Sequence, residues 1–234
     1  MNAVLITGAN RGIGLAFAQS YAKDGWRVFA TCRTPAMAKE LEKLAAGSGA
    51  KGQGVVSVHA LDVADGTAIA ALGKSLAGEP IDVLLNNAGV YDPSPSFGRT
   101  DYDAWEQVFR VNTMAALRMA EAFVEQVARS DKKLMAGISS GMGSIADNAS
   151  GGYYAYRTSK SALQMVMRSL AIDLEPRGII AVAMNPGWVK TDMGGPGGTL
   201  SADESARRMR AVFDKLTPND SGKFWHHTGK EFPW

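Results

Sequence analysis

The sequence predicts an α/β protein built on one doubly wound sheet of about seven parallel strands, with helices on both faces. Two features of the chain predict this fold class. Short apolar runs alternate with longer segments in which apolar side chains recur at the spacing of a helix. The first apolar run also leads directly into a glycine-rich turn and a helix, as in a strand–helix–strand unit of a parallel sheet. We therefore expect residues 1–234 to form a single domain.

Composition and charge narrow the class of protein. Of the 234 residues, 46% are hydrophobic and 21% are charged, with a net charge of +2, as in globular domains. Positive and negative side chains are interspersed, so we expect no nucleic-acid partner and no membrane partner. No apolar run approaches the roughly 18 residues of a membrane-spanning helix. The single cysteine, Cys32, allows no internal disulfide, and the chain starts without a basic signal-peptide region, so we expect a cytoplasmic location.

Residues 3–6 form a wholly apolar run, which is typical of a central parallel strand buried on both faces. A glycine-rich turn follows, and a helical pattern then runs to about Lys23 and stops at Gly25. The turn contains Gly8, Ala9, Asn10, Arg11, Gly12, Ile13 and Gly14. Free N–H groups at the helix start and the missing Cβ atoms would let a phosphate approach. The alternative interpretation is a glycine-rich turn that binds nothing.

The second predicted strand, residues 26–30, bears on the choice of cofactor. In folds that bind dinucleotides, an acidic residue near this strand's end holds the ribose of NAD, whereas an arginine accommodates the 2′-phosphate of NADP. Here the strand leads to Arg33 and no acid, and Arg11 in the glycine turn is a second candidate for the phosphate. Each arginine could also be a solvated surface side chain. The missing acid favours NADP(H).

The third predicted strand, residues 55–61, follows a predicted helix at 35–46. The strand ends at Asp62 and Val63. The Asp62 carboxylate could bond an adenine amino group, or it could cap the helix that begins near Asp65. The sequence leaves both possibilities open.

The fourth predicted strand, residues 81–85, runs into Asn86, Asn87, Ala88 and Gly89. The asparagine side chains can tie this strand end to its neighbour, and the small residues after them leave room for a ribose. The alternative is a simple asparagine–glycine turn.

A long helical pattern covers residues 102–129, after a stretch rich in proline, serine and glycine at 92–100. Asn112 is a polar residue within this pattern. Its side chain either bonds the backbone locally or holds a water.

The fifth predicted strand, residues 134–139, ends at Ser139 and Ser140, where an open parallel sheet places its ligands. The next helical pattern contains Tyr156 and Lys160, which lie one turn apart on the same face. A lysine charge there can favour tyrosinate and lower the phenol pKa towards working pH. The pair could then exchange a proton with a carbonyl or alcohol, although Tyr-x-x-x-Lys also occurs by chance.

The last third of the chain predicts two more strands, 179–184 and 224–225, and a helix at 201–216. Four glycines and a proline loosen the segment before this helix, so we expect a mobile substrate lid at 191–208. The three histidines show no ligand spacing, and we expect no metal site.

These motifs follow one another in the order found in short-chain dehydrogenases/reductases, a Rossmann-fold family that the sequence resembles from about residue 3 to 193. The residues that carry the resemblance are Thr7, Gly8, Gly12, Gly14, Asp62, Val63, Asn86, Asn87, Ala88, Gly89, Asn112, Ser140, Tyr156, Lys160, Pro186 and Gly187. The segment around Tyr156, the segment after Pro186 and the ending Thr-Gly-Lys-Glu-Phe-Pro-Trp also resemble the C-factor/sniffer-type carbonyl reductase branch.

The resemblance implies a role for each catalytic candidate. Tyr156 would protonate the carbonyl oxygen, and Lys160 would lower its pKa and hold the nicotinamide ribose. Ser140 would hydrogen-bond the substrate oxygen, and it matches the family's placement better than Ser139. Asn112 would hold a water in a proton relay to Lys160.

With the two arginines included, a larger set is expected to contact NADP(H). This set is Gly8, Asn10, Arg11, Gly12, Ile13, Gly14, Arg33, Asp62, Val63, Asn87, Ala88, Gly89, Tyr156, Lys160, Pro186, Gly187, Val189 and Thr191.

The resemblance implies NADPH-dependent, reversible reduction of a ketone or aldehyde by a homodimer or homotetramer paired through helices 102–129 and 155–174. The alternative is a non-catalytic NADP(H)-binding redox sensor or signalling protein. One departure concerns the pocket: Ser140 and Tyr156 are 16 residues apart, more than in most relatives, with the extra residues within 144–153.

Overall fold

Seven parallel strands form one sheet in the order β3-β2-β1-β4-β5-β6-β7. The structure, a computed structural model, describes residues 1–49, 54–92 and 97–234. The strands are β1 Ala3–Ile6, β2 Arg27–Cys32, β3 Val56–Ala60, β4 Val83–Asn86, β5 Leu134–Ile138, β6 Ile180–Asn185 and β7 Phe224–His226. The α-helices are α1 Gly12–Lys23, α2 Lys39–Ala46, α3 Gly66–Ser75, α4 Tyr102–Phe109, α5 Ala115–Ala128, α6 Tyr154–Asp173 and α7 Ala202–Phe213.

The sheet has a hydrophobic core on each face, which explains why its strands are apolar throughout. Ala3 and Leu5 of β1 face one core, which includes side chains of α3, α5 and α6. Val4 and Ile6 face the other, which includes side chains of α1, α2 and α7. The predicted doubly wound parallel sheet is therefore confirmed.

Two of the predicted helices are divided into shorter parts in the structure. The helix expected at 35–46 is a 3₁₀ turn, Pro35–Met37, followed by α2, because Ala38 between them has the non-helical angles φ −93° and ψ 57°. The helix expected at 102–129 is continuous, but a π-helical turn at Arg110–Met114 separates α4 from α5. Such single π turns mark functional sites in many proteins. Parts of two predicted loops, 50–53 and 93–96, lie outside the described residues.

The segment predicted as a lid divides into two parts. Residues 191–200 form a loop, whose base is closed by a bridge between Val189 and Leu200. Residues 202–208 belong to α7, where Ser205 and Ala206 are fully buried. The lid prediction therefore narrows to residues 191–200, where it stays a prediction.

The chain order places a crevice between β1 and β4. The strands β1, β2 and β3 run outward in one direction from this point, and β4 to β7 run outward in the other. In open parallel sheets, ligands bind above the carboxyl ends of the strands at such a switch point. Among the described residues, no helix is long and apolar enough to cross a membrane.

Candidate active site

A cleft of about 480 Å³ lies at this crevice and contains most of the predicted site. Its lining includes 16 of the residues predicted to contact a cofactor: Gly8, Asn10, Arg11, Gly12, Ile13, Gly14, Arg33, Asp62, Val63, Asn87, Ala88, Gly89, Tyr156, Lys160, Pro186 and Thr191. It also includes ten residues that were not predicted as contacts: Cys32, Leu61, Val90, Gln107, Val111, Ile138, Ser139, Lys190, Asp192 and Met193. Six of these ten residues are apolar or cysteine and belong to no motif, and the polar ones, Gln107, Ser139, Lys190 and Asp192, were not assigned a cofactor contact.

The glycine turn brings main chain, not side chains, to the cleft. Gly8 and Gly12 have φ of +66° and +53°, which disfavour any residue with a Cβ. A Cβ on Gly14 would lie 2.2 Å from the Gly8 carbonyl oxygen, so only a glycine lets α1 approach so closely. Among the described residues, no side chain caps the start of α1, and its first turn contains no acid. The free N–H groups of this turn therefore suit a phosphate.

Asn87 ties the end of β4 to the end of β1, as predicted. Its Nδ2 donates to the carbonyl oxygens of Thr7 at 2.9 Å and Gly8 at 3.1 Å. The Thr7 hydroxyl oxygen accepts from the N–H groups of Asn87 and Ala88, both at 3.0 Å. These bonds cross-link the two strands that border the crevice.

Asp62 and Asp65 have separate roles, which the sequence alone left open. The Asp65 carboxylate caps α3 by accepting from the N–H groups of Thr67 at 2.8 Å and Ala68 at 3.2 Å. Asp62 accepts from the Ala64 N–H at 2.9 Å and lines the cleft. The helix cap is thus Asp65, and Asp62 lies where a bound nucleotide could reach it.

Both arginines predicted to bind phosphate lie at the cleft. Arg33 follows the end of β2, as expected. Arg11 forms an ion pair with Asp192, with 2.6 Å between Nη1 and Oδ2. Because Asp192 belongs to the 191–200 loop, this pair links the glycine turn to the predicted lid.

Tyr156 and Lys160 project from one face of α6 into the same cleft as the three glycines. The Lys160 Nζ lies over the Tyr156 ring, 5.7 Å from its centroid, and donates to the Ile138 carbonyl oxygen at 2.8 Å. Both side chains are almost fully buried, Tyr156 at 7% exposed and Lys160 at 4%.

Burial shifts the pKa of Tyr156 in the direction opposite to the expected one. It raises the pKa of the Tyr156 hydroxyl to about 12; a hydrogen bond with Ser140 acts in the opposite direction, and Tyr91 adds to the increase. Burial also lowers the pKa of the Lys160 ammonium to about 8. The prediction of a lowered tyrosine pKa is therefore wrong for this structure, because the cost of burying the phenolate charge is the largest effect. Tyr156 is protonated at neutral pH.

The structure distinguishes the two adjacent serines. Ser140 hydrogen-bonds Tyr156 through their side chains, and its hydroxyl oxygen also accepts from the Met142 N–H at 3.1 Å. The Ser139 hydroxyl turns away and donates to the Lys160 carbonyl oxygen at 3.2 Å. Ser140, as predicted, is the serine beside the tyrosine hydroxyl.

Asn112 lies in the π-helical turn and bonds a distant segment of the chain. Its Oδ1 accepts from the Val90 N–H at 2.8 Å, and its Nδ2 donates to the Val90 carbonyl oxygen at 2.9 Å and to the Ser159 hydroxyl at 3.0 Å. The side chain thus joins the loop after β4 to α6, instead of bonding its own helix. A Cβ on Gly89 would lie 3.3 Å from Asn112 Oδ1 and 3.5 Å from Lys160 Nζ. Both polar atoms therefore lie close to Gly89.

Two of the predicted cofactor contacts lie behind the cleft wall. Val189 is buried at the base of the 191–200 loop. Gly187, with φ of +79°, faces His227 and Leu200, which a Cβ would approach to within 2.9 Å. Their placement suggests that they shape the wall between Pro186 and Thr191, which do line the cleft.

A second tyrosine contacts Tyr156, and a third contacts the second. The Tyr91 ring meets the Tyr156 ring edge-on, with 4.9 Å between centroids, and hydrogen-bonds Tyr153. Tyr153, the residue just before α6, has a left-handed φ of 49°, which is unusual for a residue with a side chain. No motif or spacing in the sequence predicts the contact between Tyr91 and Tyr153.

Comparison with known proteins places this geometry in a family. The family model described as short chain dehydrogenase matches residues 2–199. Among curated proteins, the C-signal protein of Myxococcus xanthus is 44% identical over 155 residues, which are 66% of this chain and 93% of that protein.

Two solved structures are similar over the whole chain. The NADPH-bound carbonyl reductase from chicken fatty liver is 34% identical, with a TM-score of 0.90, and the match covers 100% of this chain and 99% of that one. The carbonyl reductase Sniffer of D. melanogaster is 31% identical, with a TM-score of 0.91, and the match covers 100% of both chains.

Proposed function

The chain belongs to the short-chain dehydrogenase family, and from that premise we propose that it reduces a ketone or aldehyde to an alcohol, reversibly, with NADPH as hydride donor. The main support is the presence of Tyr156, Ser140 and Lys160 beside one cleft with the Gly8–Gly14 turn. The two solved relatives are carbonyl reductases, one of them with NADPH bound, which supports the same substrate class and cofactor.

We propose that Tyr156 is the acid of the reduction. Because burial keeps its hydroxyl protonated, it can donate a proton to a carbonyl oxygen that gains negative charge. The Ser140 hydroxyl, which already bonds the tyrosine, would donate a second hydrogen bond to that oxygen. In the reverse direction, the reaction would start from the Tyr156 phenolate, which would accept the alcohol proton.

Lys160 and Asn112 would assist Tyr156, Lys160 through its charge and Asn112 by positioning Lys160. The Lys160 Nζ lies over the Tyr156 ring, 5.7 Å from its centroid, and its ammonium would favour the tyrosinate that remains after the proton has left. Asn112 holds the loop after β4 against α6, and we propose that it keeps Lys160 in reach of the cleft. A water relay through Asn112 remains part of the proposal.

The cleft fits an NADP-type dinucleotide. The uncapped start of α1 would bind the phosphates, and Arg33 and Arg11 would take the 2′-phosphate. Asp62 would bond the adenine, and Lys160, Pro186 and Thr191 would line the nicotinamide end. When bound, the cofactor supplies the hydride.

Replacement of Tyr156 by phenylalanine tests the proposal. We expect Tyr156→Phe to lower kcat by at least about 100-fold, because general acid catalysis contributes about 10²–10⁴-fold. The dissociation constant of NADPH should stay within about twofold, since the ring remains. Tyr154→Phe, on the exposed side of the same helix turn, is the matched control. Carbonyl reduction at the wild-type rate by Tyr156→Phe would refute the acid assignment.

The cofactor assignment has its own test. We expect the wild type to bind NADPH more tightly than NADH, and Arg33→Ala to reduce this preference by about tenfold or more, because a charged hydrogen bond contributes about 1.5–3 kcal/mol. Titration by nicotinamide fluorescence measures both constants. Equal affinity of the wild type for the two cofactors would contradict the assignment.

The name of the Myxococcus relative favours a second candidate function, a non-catalytic NADP(H)-binding signalling or redox-sensing protein. A signalling role does not need a protonated tyrosine beside a serine in a dinucleotide cleft, so we rank it second. NADPH oxidation across a panel of ketones and aldehydes separates the two. Tight NADPH binding without turnover on any carbonyl would favour the signalling protein.

We also propose that two copies pair through the helices at 102–129 and 155–174. Apolar side chains are exposed on both, including Met114 and Leu117 on one and Met165 and Ile172 on the other. Burial of such side chains against a second copy would be favourable. A monomeric sedimentation coefficient at micromolar protein would refute this pairing.

A further inference from the structure

The C-terminal segment, residues 226–234, packs against the loop that follows Ser140. We propose that this segment is a positioning element of the substrate pocket: it holds the 141–153 loop and, through that loop, the Ser140 hydroxyl. The kinetic consequence of this inference rests on the proposed function, whereas the contacts themselves do not.

One atom of the segment bonds two loop residues directly and a third through one of them. The main-chain oxygen of Trp234 accepts hydrogen bonds from the Ala146 N–H at 2.8 Å and from the Ser144 hydroxyl at 3.1 Å. The Ser144 hydroxyl oxygen accepts in turn from the Asp147 N–H at 3.1 Å. The first half of the loop is therefore bonded to the C-terminal segment.

Aromatic packing fixes the segment to the sheet. The Trp234 ring stacks on Phe224 of β7 with 5.7 Å between centroids, and the Phe232 ring meets the same phenylalanine edge-on at 5.3 Å. Phe224 is fully buried, and its carbonyl oxygen accepts from the Phe232 N–H at 2.7 Å. Because the segment cannot shift without losing these contacts, the Trp234 oxygen is a fixed anchor for the loop.

Phe232 also contacts the residue next to Ser140. A Cβ on Gly141 would lie 3.4 Å from the Phe232 ring and 3.0 Å from Asn185 Nδ2. The chain thus leaves Ser140 through a narrow gap between β6 and the C-terminal segment. The position of the Ser140 hydroxyl depends on both walls of this gap.

The other side of the loop is held by the helix that carries Tyr156. Arg157 of α6 donates to the Met142 and Gly151 carbonyl oxygens, each at 3.1 Å, and to the Ser150 hydroxyl at 2.7 Å. A loop of this length loses much conformational entropy when it is ordered. Two supports, one from α6 and one from the C-terminal segment, together hold it at both ends.

The experiment compares Trp234→Ala, which removes the ring stack, with Trp234→Phe, which keeps an aromatic ring. In Trp234→Ala we expect amide hydrogen exchange within 141–149 to rise by about tenfold, while exchange in the 8–14 turn is unchanged. The kcat/KM for a carbonyl should fall by about tenfold, with the dissociation constant of NADPH within about twofold of the wild type. Trp234→Phe should show only a small part of the rise in exchange and of the fall in kcat/KM.

Ser144→Ala is a second variant that we expect to fold even if Trp234→Ala does not, since it removes a single hydroxyl. We expect a smaller increase in exchange over the same loop residues. Ser75→Ala, which removes a partly buried hydroxyl that donates to the Leu72 carbonyl oxygen in α3, is its control.

Unchanged exchange in the loop of both Trp234→Ala and Ser144→Ala would overturn the inference. So would a Trp234→Ala enzyme that loses only global stability and keeps the wild-type kcat/KM. A wild-type protein that reduces no carbonyl would instead remove the proposed function, and the exchange data would still decide whether the segment holds the loop.

Discussion

The two ends of the cleft are made of different chemical groups. At the end that we propose binds the cofactor phosphates, named the phosphate end, the Gly8–Gly14 turn presents backbone N–H groups and bare Cα atoms. At the other end, the functional groups are the side chains of Ser140, Tyr156 and Lys160. A substitution at the first end adds atoms where there is no room, whereas a substitution at the second removes a functional group.

The two ends also differ in their exposure to water. The side chains of Arg11 and Asp192, at the phosphate end, are 67% and 77% exposed. Tyr156 and Lys160 are almost fully buried. Burial disfavours the charged form of each group, so it raises the pKa of Tyr156 and lowers the pKa of Lys160. Binding of a charged cofactor therefore favours groups exposed to water, whereas control of a proton favours buried groups.

The largest change in the free energy of unfolding is expected from a methyl group added at the phosphate end. In Gly14→Ala, the Cβ would lie 2.2 Å from the Gly8 carbonyl oxygen and 2.5 Å from Asn87 Nδ2. We expect the free energy of unfolding to fall by about 1–3 kcal/mol, as for other overpacked sites. NADPH affinity should fall by at least about tenfold, because α1 must move away from the phosphates. Urea denaturation and cofactor titration measure the two effects.

Gly78→Ala is the control for this variant, because a Cβ there meets no described atom within 4 Å. If Gly14→Ala kept wild-type NADPH affinity, the close approach of α1 to the strand would not be what forms the phosphate site.

A smaller effect is expected from the buried end, as a pH dependence of stability. Burial lowers the pKa of Lys160 from its ordinary 10.5 to about 8. Between these values, the unfolded chain binds a proton that the folded protein lacks, so stability rises with pH from about 8 to 10.5. Below about pH 8, both states bind the proton, and the cost of burying the Lys160 ammonium is present in full. From about pH 7.5 to about pH 9, we expect the wild type to gain about 1 kcal/mol relative to Lys160→Met.

Urea unfolding of both proteins at the two pH values measures this difference. Lys190→Met, at the rim of the same cleft and exposed, serves as the control lysine. A pH-independent difference between the wild type and Lys160→Met would show that the ammonium is as well solvated as a surface lysine, and the contrast between the two ends would not hold.

The smallest effect is expected at the exposed ion pair. Asp192→Asn should change the free energy of unfolding by less than about 1 kcal/mol, as for other surface pairs. It should raise NADPH affinity by about two- to fivefold, since Arg11 is released and a carboxylate is removed from the phosphate end. Cofactor titration at low salt, with Asp131→Asn as an exposed control, measures the change. Weaker binding would instead indicate that Asp192 helps to close the lid.

Sequence reasoning found the parts of the site that depend on short stretches of chain. The order strand, glycine turn, helix predicted a phosphate site at the Gly8–Gly14 turn, and the resemblance to the family favoured Ser140 over Ser139. It missed the features that depend on distant segments. Ser144, for example, meets Trp234 across a separation of 90 residues, and Tyr91 meets Tyr153 between two loops. Such contacts leave no periodicity or motif in the chain.

By itself, the sequence determined the parallel sheet, its element order and the chemistry available at each strand end. Those features follow from side-chain periodicity and from glycine and asparagine turn preferences, which act over a few residues. Only the tertiary structure decided that Asp65 is the helix cap, that Asn112 joins two elements and that the Tyr156 pKa rises instead of falling. The physical reason is that burial and hydrogen-bond partners are properties of the packed molecule, and they are set by residues far apart in the chain.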